Sequence, residues 1–196
     1  MRERHDDRRV RRTKGLLRRA LASLVHEKPY DAIAVKEILA RADVGRSAFY
    51  AHFRDKDALL ASAVRETLRS CAARAAAADP VEAVLGFGGP LLEHVGGRLV
   101  AERGPAGSTR HPERHAAVHE HLRGQLAEWV ADALRRARGG RATEPSVPAD
   151  LLGAHVADTF VRVLVWWVER GAPGSAGEAD RLFRALVAPA VADAVR

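Results

Sequence analysis

The 196-residue sequence has little cysteine, few aromatic residues and no long apolar run. The single Cys71 cannot form a disulfide within the chain, which excludes a disulfide-stabilised scaffold. The longest stretch without Asp, Glu, Lys or Arg is ten residues, 83–92, about half of what a bilayer-spanning helix needs. The N-terminus reads Met-Arg-Glu-Arg-His-Asp-Asp and lacks the apolar stretch of a secretory signal. We therefore expect a cytoplasmic protein with no membrane-spanning segment.

The positive charge is confined to the first quarter of the chain. Residues 1–56 contain 15 Lys or Arg and 8 Asp or Glu, whereas residues 57–196 contain 17 of each, so the whole net charge of +7 lies in residues 1–56. A confined basic region is typical of a protein that binds a polyanion, because each Lys or Arg placed on a phosphate releases condensed counterions. A merely solubilising basic tail is the alternative.

Apolar residues recur mostly at helical spacing, and no alternating strand pattern is present, so the sequence predicts an all-α protein. With 47% apolar residues the chain can bury a core of its own. We predict two domains, residues 1–56 with a basic arm over 1–12, and residues 57–196. The predicted helices span about residues 7–27, 35–42, 46–52, 55–79, 80–97 (broken by glycines), 113–138, 149–170 and 177–195.

The helix over 151–168 is apolar on more than one side, which one domain core does not cover. A second subunit would cover it, with the last helix completing a four-helix seam across a two-fold axis. The predicted interface residues are Phe160, Trp166, Trp167, Leu182, Phe183 and Leu186. A wholly internal helical hairpin is the alternative.

Residues 35–53 have the helix, three-residue turn, helix layout of a helix-turn-helix, whose second helix enters the DNA major groove. Arg46 can bind guanine O6 and N7, Ser47 a base edge or phosphate, and Ala48 a thymine methyl. Lys36, Tyr50, His52 and Lys56 are suited to phosphate, while Phe49 and Phe53 anchor the helix in the core. A helical subdomain with a solvated polar face is the alternative.

Residues 13–60 resemble the DNA-binding domain of TetR-type bacterial transcriptional regulators. The resemblance lies in Val-Lys-Glu-Ile-Leu-Ala-Arg-Ala at 35–42 and Phe49-Tyr50-x-His52-Phe53-x-x-Lys56-x-x-Leu59. It implies a homodimer of about nine helices per subunit that binds a palindromic operator and represses transcription. It also implies a C-terminal pocket for a small-molecule effector that releases the protein from DNA. Ala34, Asp43, Gly45 and Ala48 stand where the family commonly has Thr, Gly, Ser and Thr.

Nine histidines suggest a second hypothesis, because His111, His115 and His119 recur every four residues and two such residues on a helix can share a metal. A metal-sensing regulator, or a metal-binding or hydrolytic helical protein with an incidental basic arm, is therefore the alternative function. No nucleophile elbow, phosphate loop or paired metal motif is present, so we predict no enzyme activity and no cofactor. The candidate effector-pocket residues are Trp129, His155, Asp158 and Arg162.

Overall fold

The computed structural model describes residues 2–73, 79–101, 116–139 and 147–196. These residues form nine α-helices, one short 3-10 helix and no strand, which confirms the all-α prediction. The helices are α1 (Arg2–Glu27), α2 (Val35–Ala42), α3 (Arg46–Tyr50), α4 (Lys56–Ala72), α5 (Pro80–Leu85), α6 (Gly88–Ala101), α7 (Ala116–Arg138), α8 (Ala149–Glu169) and α9 (Ala176–Val195), with the 3-10 helix at Tyr30–Ala32.

Several helix ends differ from the sequence prediction; α3 ends at Tyr50 and α4 at Ala72, where the sequence predicted ends at 52 and 79. The first helix ends at Glu27 as expected, before Lys28 and Pro29, but it begins at Arg2, so the predicted basic arm is part of α1. Helix α6 continues through Gly96, where the sequence predicted its end. A Cβ at Gly96 would lie 2.6 Å from Cη2 of Trp167, so this glycine is needed for a close side-chain contact and does not end the helix.

The chain divides into two compact units. Unit 1 comprises Met1–Arg65 and Glu113–His121, and unit 2 comprises Glu66–Pro112 and Leu122–Arg196. The division falls within α4, nine residues beyond the predicted boundary at residue 56, and it also places the first residues of α7 in unit 1. Unit 1 has its own core, formed by buried residues of the first four helices and the 3-10 turn: Leu17, Ala20, Leu21, Leu24, Val25, Tyr30, Ile33, Ile38, Ala42, Phe49, Phe53, Leu59 and Leu60.

In unit 2, α9 packs against α5, α6 and α8. Three fully buried rings meet at the centre of this packing, with centroid distances of 5.3 Å for Phe87–Phe160, 6.0 Å for Phe87–Phe183 and 5.2 Å for Phe160–Phe183. Offset and edge-on arrangements of this kind add to the stabilisation from burial. Helix α9 begins with a capping box in which Ser175 and Glu178 satisfy each other's backbone N–H groups.

Helices α7 and α8 approach each other at small residues. A Cβ at the buried Gly153 of α8 would lie 2.6 Å from the backbone oxygen of Ala127 and 3.2 Å from Cβ of Ala131, so only glycine fits this crossing. By length and composition α8 is the one described helix that could cross a bilayer. Half of its 18-residue apolar stretch is buried inside the protein, as in the core helix of a folded domain.

Candidate nucleic-acid interface

The turn between α2 and α3 is held by backbone hydrogen bonds. Asp43 adopts the left-handed conformation at φ 51°, which Asp tolerates better than most residues, and it caps the C-terminal end of α2. The Val44 N–H donates to Leu39 O at 3.1 Å. Gly45 is the N-cap of α3, with extended backbone and nothing within 4 Å of a Cβ placed on it. The departures at Asp43 and Gly45 from the family pattern therefore leave the turn intact.

Helix α3 has one buried side and one exposed side. Phe49 is completely buried in the unit 1 core, and its ring packs 5.9 Å from that of Phe53. On the other side Arg46, Ser47 and Tyr50 are exposed, and Ala48 is partly exposed. The Arg46 guanidinium lies 5.8 Å from the centroid of the Tyr50 ring. The two phenylalanines thus fix α3 while the predicted base-reading and phosphate-binding side chains remain accessible to a ligand.

The start of α2 is capped from one direction only. Ala34 has no side-chain acceptor for the N–H groups of the first turn, so that bond of a capping box is missing. The reciprocal bond is present, because Glu37 Oε2 accepts from the Ala34 N–H at 2.8 Å. Lys28 donates to the same carboxylate and, together with this N–H, holds the pKa of Glu37 below its usual value. Lys36 is exposed, as a phosphate ligand must be.

Lys56 is engaged within the protein, while its role as a phosphate ligand stays a prediction. Its Nζ donates to the carbonyl oxygens of Tyr30 at 3.0 Å, Asp31 at 3.3 Å and Ile33 at 3.3 Å. It also lies 4.5 Å from the centroid of the Tyr30 ring. An ammonium has three donors, and these carbonyls occupy all three. Lys56 therefore fastens the segment before α2 to the start of α4.

Tyr30 is the residue of this site that sequence reasoning missed. It is almost fully buried, donates a hydrogen bond from its hydroxyl to Asp57 Oδ1, and packs 6.2 Å from the ring of His121. Burial, with the Asp57 hydrogen bond, raises the pKa of Tyr30 above its usual value, so the hydroxyl stays protonated. The sequence alone does not reveal the role of Tyr30, because the residues that contact it lie 26 to 91 positions further along the chain.

We expect Lys56→Met to lower the free energy of unfolding by about 1–3 kcal/mol, because three carbonyl groups lose a charged donor while the aliphatic stem is kept. The measurement is denaturation in urea, with Lys36→Met as the matched control. Lys36→Met should leave stability unchanged and reduce the salt dependence of DNA affinity by about 0.9 in log–log slope. If Lys56→Met instead changed that slope and left stability intact, Lys56 would be a phosphate ligand.

The six predicted interface residues separate into two groups. Phe160, Trp167 and Phe183 are buried in unit 2 itself, where Trp167 also donates from Nε1 to Pro173 O at 3.0 Å. These three side chains face the subunit core, so their assignment to a dimer surface is corrected. Trp166, Leu182 and Leu186 are exposed. The subunit thus buries much of α8 by itself, and apolar side chains on the outward sides of α8 and α9 remain exposed to solvent.

The predicted pocket residues do not form a buried network. His155, Asp158 and Arg162 are exposed on α8, and Asp158 pairs with Arg123 of α7 at 2.9 Å. Trp129 is partly buried. The three polar residues therefore lie on the surface of the subunit, which corrects the expectation of an enclosed lining.

Of the predicted histidine cluster, His111 and His115 lie outside the described residues, and His119 is partly buried on α7. Within the described ranges no group of three or more His, Cys, Asp or Glu is arranged to hold a metal ion. The metal-sensing alternative therefore stays a prediction.

Residues 17–63, which include α2, α3 and their turn, match the family model of bacterial regulatory proteins of the tetR family. The fold is similar to that of a TetR transcriptional regulator from Streptococcus agalactiae 2603V, with a TM-score of 0.52, 20% identity and coverage of 94% of this chain and 98% of that one. It is also similar to the dihydroxyacetone kinase operon activator DhaS, with a TM-score of 0.54, 12% identity and coverage of 92% and 96%. No curated protein matches this sequence. Residues 17–63 thus match the tetR-family model, and the chain as a whole shares the fold of these solved structures.

Proposed function

We propose that the protein is a cytoplasmic, ligand-responsive repressor that binds a palindromic DNA operator as a homodimer. In this proposal residues 1–56 bind the operator, and residues 57–196 form the dimer and hold a small-molecule effector. The protein acts through binding alone and needs no enzymatic chemistry. Effector binding would change the separation of the two α3 helices and release the DNA.

The observation that carries the proposal is the two-sided character of α3. Its buried side is fixed by Phe49, and its exposed side presents Arg46 and Ser47 at the N-terminal end of a helix that follows a three-residue turn, with Tyr50 exposed at the last position of the helix. A recognition helix reads base edges from that end. Arg46 supplies the bidentate donor that guanine selects, and the hydroxyls of Ser47 and Tyr50 can donate to phosphate.

A two-fold arrangement is supported by where the exposed apolar side chains lie. Among the described residues five large hydrophobic side chains are exposed, and four of them, Leu151, Trp166, Leu182 and Leu186, are on α8 and α9. A partner copy would remove this apolar surface from water. Two recognition helices would then have to match half-sites about 34–36 Å apart, so a small change in their separation is enough to weaken binding.

The direction of regulation depends on where the operator lies relative to the promoter. DhaS, which has a similar fold, is named as an operon activator. A repressor excludes polymerase from the promoter, so the proposal requires the operator to overlap it. A promoter–reporter measurement with and without the protein tests this point, and higher expression with the protein present would make it an activator.

We expect Arg46→Ala to abolish most sequence preference. The bound duplex is first obtained by selecting fragments from a sheared bacterial genomic DNA pool with the wild-type protein. On that duplex Arg46→Ala should lower affinity about 5- to 150-fold, the value of one bidentate base contact, with little change on a scrambled duplex. Arg136→Ala, an exposed arginine of unit 2 with the same change in charge, is the control. Equal weakening on both duplexes would contradict base reading by Arg46.

A further inference from the structure

Helix α1 carries a run of basic residues that α3 does not account for. Between positions 8 and 26 the sequence has seven Lys or Arg and no Asp or Glu. In the structure Arg8, Arg12 and Arg19 are exposed, and Leu17, Leu21 and Leu24 of the same helix are buried in the unit 1 core.

Three of the five arginines that the structure shows exposed on α1 occupy one face, with Arg9 and Arg11 on either side of it. At about 100° per residue, Arg12 and Arg19 are rotated by about 40° and 20° from Arg8, whereas Leu17 is rotated by about 180°. The three arginines therefore form a narrow stripe on the side opposite the core. We call Arg8, Arg12 and Arg19 the α1 stripe. At 1.5 Å per residue it is about 16 Å long, which corresponds to several successive phosphates of one DNA strand.

We propose that the α1 stripe is a second DNA-binding surface that contacts backbone phosphates and carries no sequence information. The inference rests on the proposed DNA-binding function and extends it to a helix outside the helix-turn-helix. Three features support it. The stripe belongs to the same unit as α3, its charge is of one sign and complementary to phosphate, and the core side of α1 fixes its direction. Guanidinium groups bind phosphate oxygens through paired donors.

Gly15 lies within the stripe between Arg12 and Arg19. The nearest atom to a Cβ placed on it is Nη1 of Arg19 at 3.5 Å, and without a side chain at Gly15 the helix surface between the arginines forms a shallow depression. Glycine allows a nucleic-acid backbone to come close to a helix at this point.

The test compares a stripe variant with a charge-matched variant of the full-length protein. The stripe variant is Arg8→Gln/Arg12→Gln/Arg19→Gln, and the matched variant is Arg69→Gln/Arg135→Gln/Arg136→Gln, three exposed positions in unit 2. Gln and Arg have similar helix propensities, and circular dichroism verifies that both variants stay folded. The probe is a 40-base-pair duplex of random sequence, with affinity measured at several salt concentrations.

For the stripe variant we expect the slope of log affinity against log salt to become shallower by about 0.9 for each phosphate that is no longer neutralised, up to about 2.7 per bound chain. At about 0.1 M salt, three such phosphates correspond to an affinity that is weaker by roughly 10²–10³-fold. The matched variant should keep the wild-type slope. A wild-type slope in the stripe variant, or an equal change in both variants, would overturn the inference. If the wild-type protein bound no duplex, the proposed function itself would fail.

Discussion

Replacing Leu186 by arginine is expected to separate the proposed dimer and to weaken operator binding by about 10²–10⁴-fold. Leu186 is 63% exposed on α9, so an arginine fits without disturbing the subunit core. In a two-fold interface the substitution would place a charge against apolar surface on both sides of the axis. A single chain binds one half-site and lacks the high effective concentration that a partner provides, which accounts for the size of the effect.

The measurement combines sedimentation with titration of the selected duplex. Ala83→Arg adds the same charge at an exposed position of α5 and serves as the control. Leu182→Arg should act like Leu186→Arg, because Leu182 is exposed on the same side of α9. Phe183→Arg is unsuitable, since Phe183 is fully buried and its replacement would unfold unit 2. An intact dimer in both exposed variants would place the interface elsewhere.

The second large effect is on stability, where the same chemical change should act in opposite directions at two glycines. Gly153→Ala puts a Cβ 2.6 Å from the backbone oxygen of Ala127, and we expect it to lower the free energy of unfolding by about 1–3 kcal/mol. Gly124 lies within α7 and has nothing within 4 Å of a Cβ. Gly124→Ala should raise stability by about 1 kcal/mol, because alanine is the better helix former.

Thermal unfolding gives the comparison directly. For a chain of this size about 1 kcal/mol corresponds to about 2–4 °C in Tm, so the two variants should move to opposite sides of the wild type. Helices α7 and α8 cross so closely at Gly153 that a larger side chain there would push α8 away from α7. If Gly153→Ala were as stable as Gly124→Ala, the two helices would be further apart than the structure places them.

Features set by local sequence were predictable. Leu17, Leu21 and Leu24 are spaced as one face of a helix, and Phe49 and Phe53 were predicted to anchor α3 in the core; all five are buried. The left-handed turn at Asp43 followed from the tolerance of that residue for positive φ. Each of these features depends on neighbours within one helical turn or on backbone preferences of a single residue, so the sequence contains the needed information.

Features set by distant partners were not predictable. Lys56 has the residue type and position of a phosphate ligand, yet its donors are taken by carbonyl groups more than twenty residues upstream. Gly96 is a residue type that often ends a helix, but here it makes room for the ring of Trp167 inside a continuing helix. The apolar character of Phe160 and Phe183 was equally compatible with a core and an interface, because periodicity shows that a side chain is covered and does not show by what.

The central claim, that the protein binds duplex DNA, is tested most directly by the affinity of the wild-type protein for sheared double-stranded genomic DNA between about 0.05 and 0.3 M salt. The account predicts tight binding at the lower end and a steep linear fall of log affinity with log salt, by about 0.9 for each phosphate contact. Absence of binding at the lowest salt, or an affinity that does not respond to salt, would contradict it.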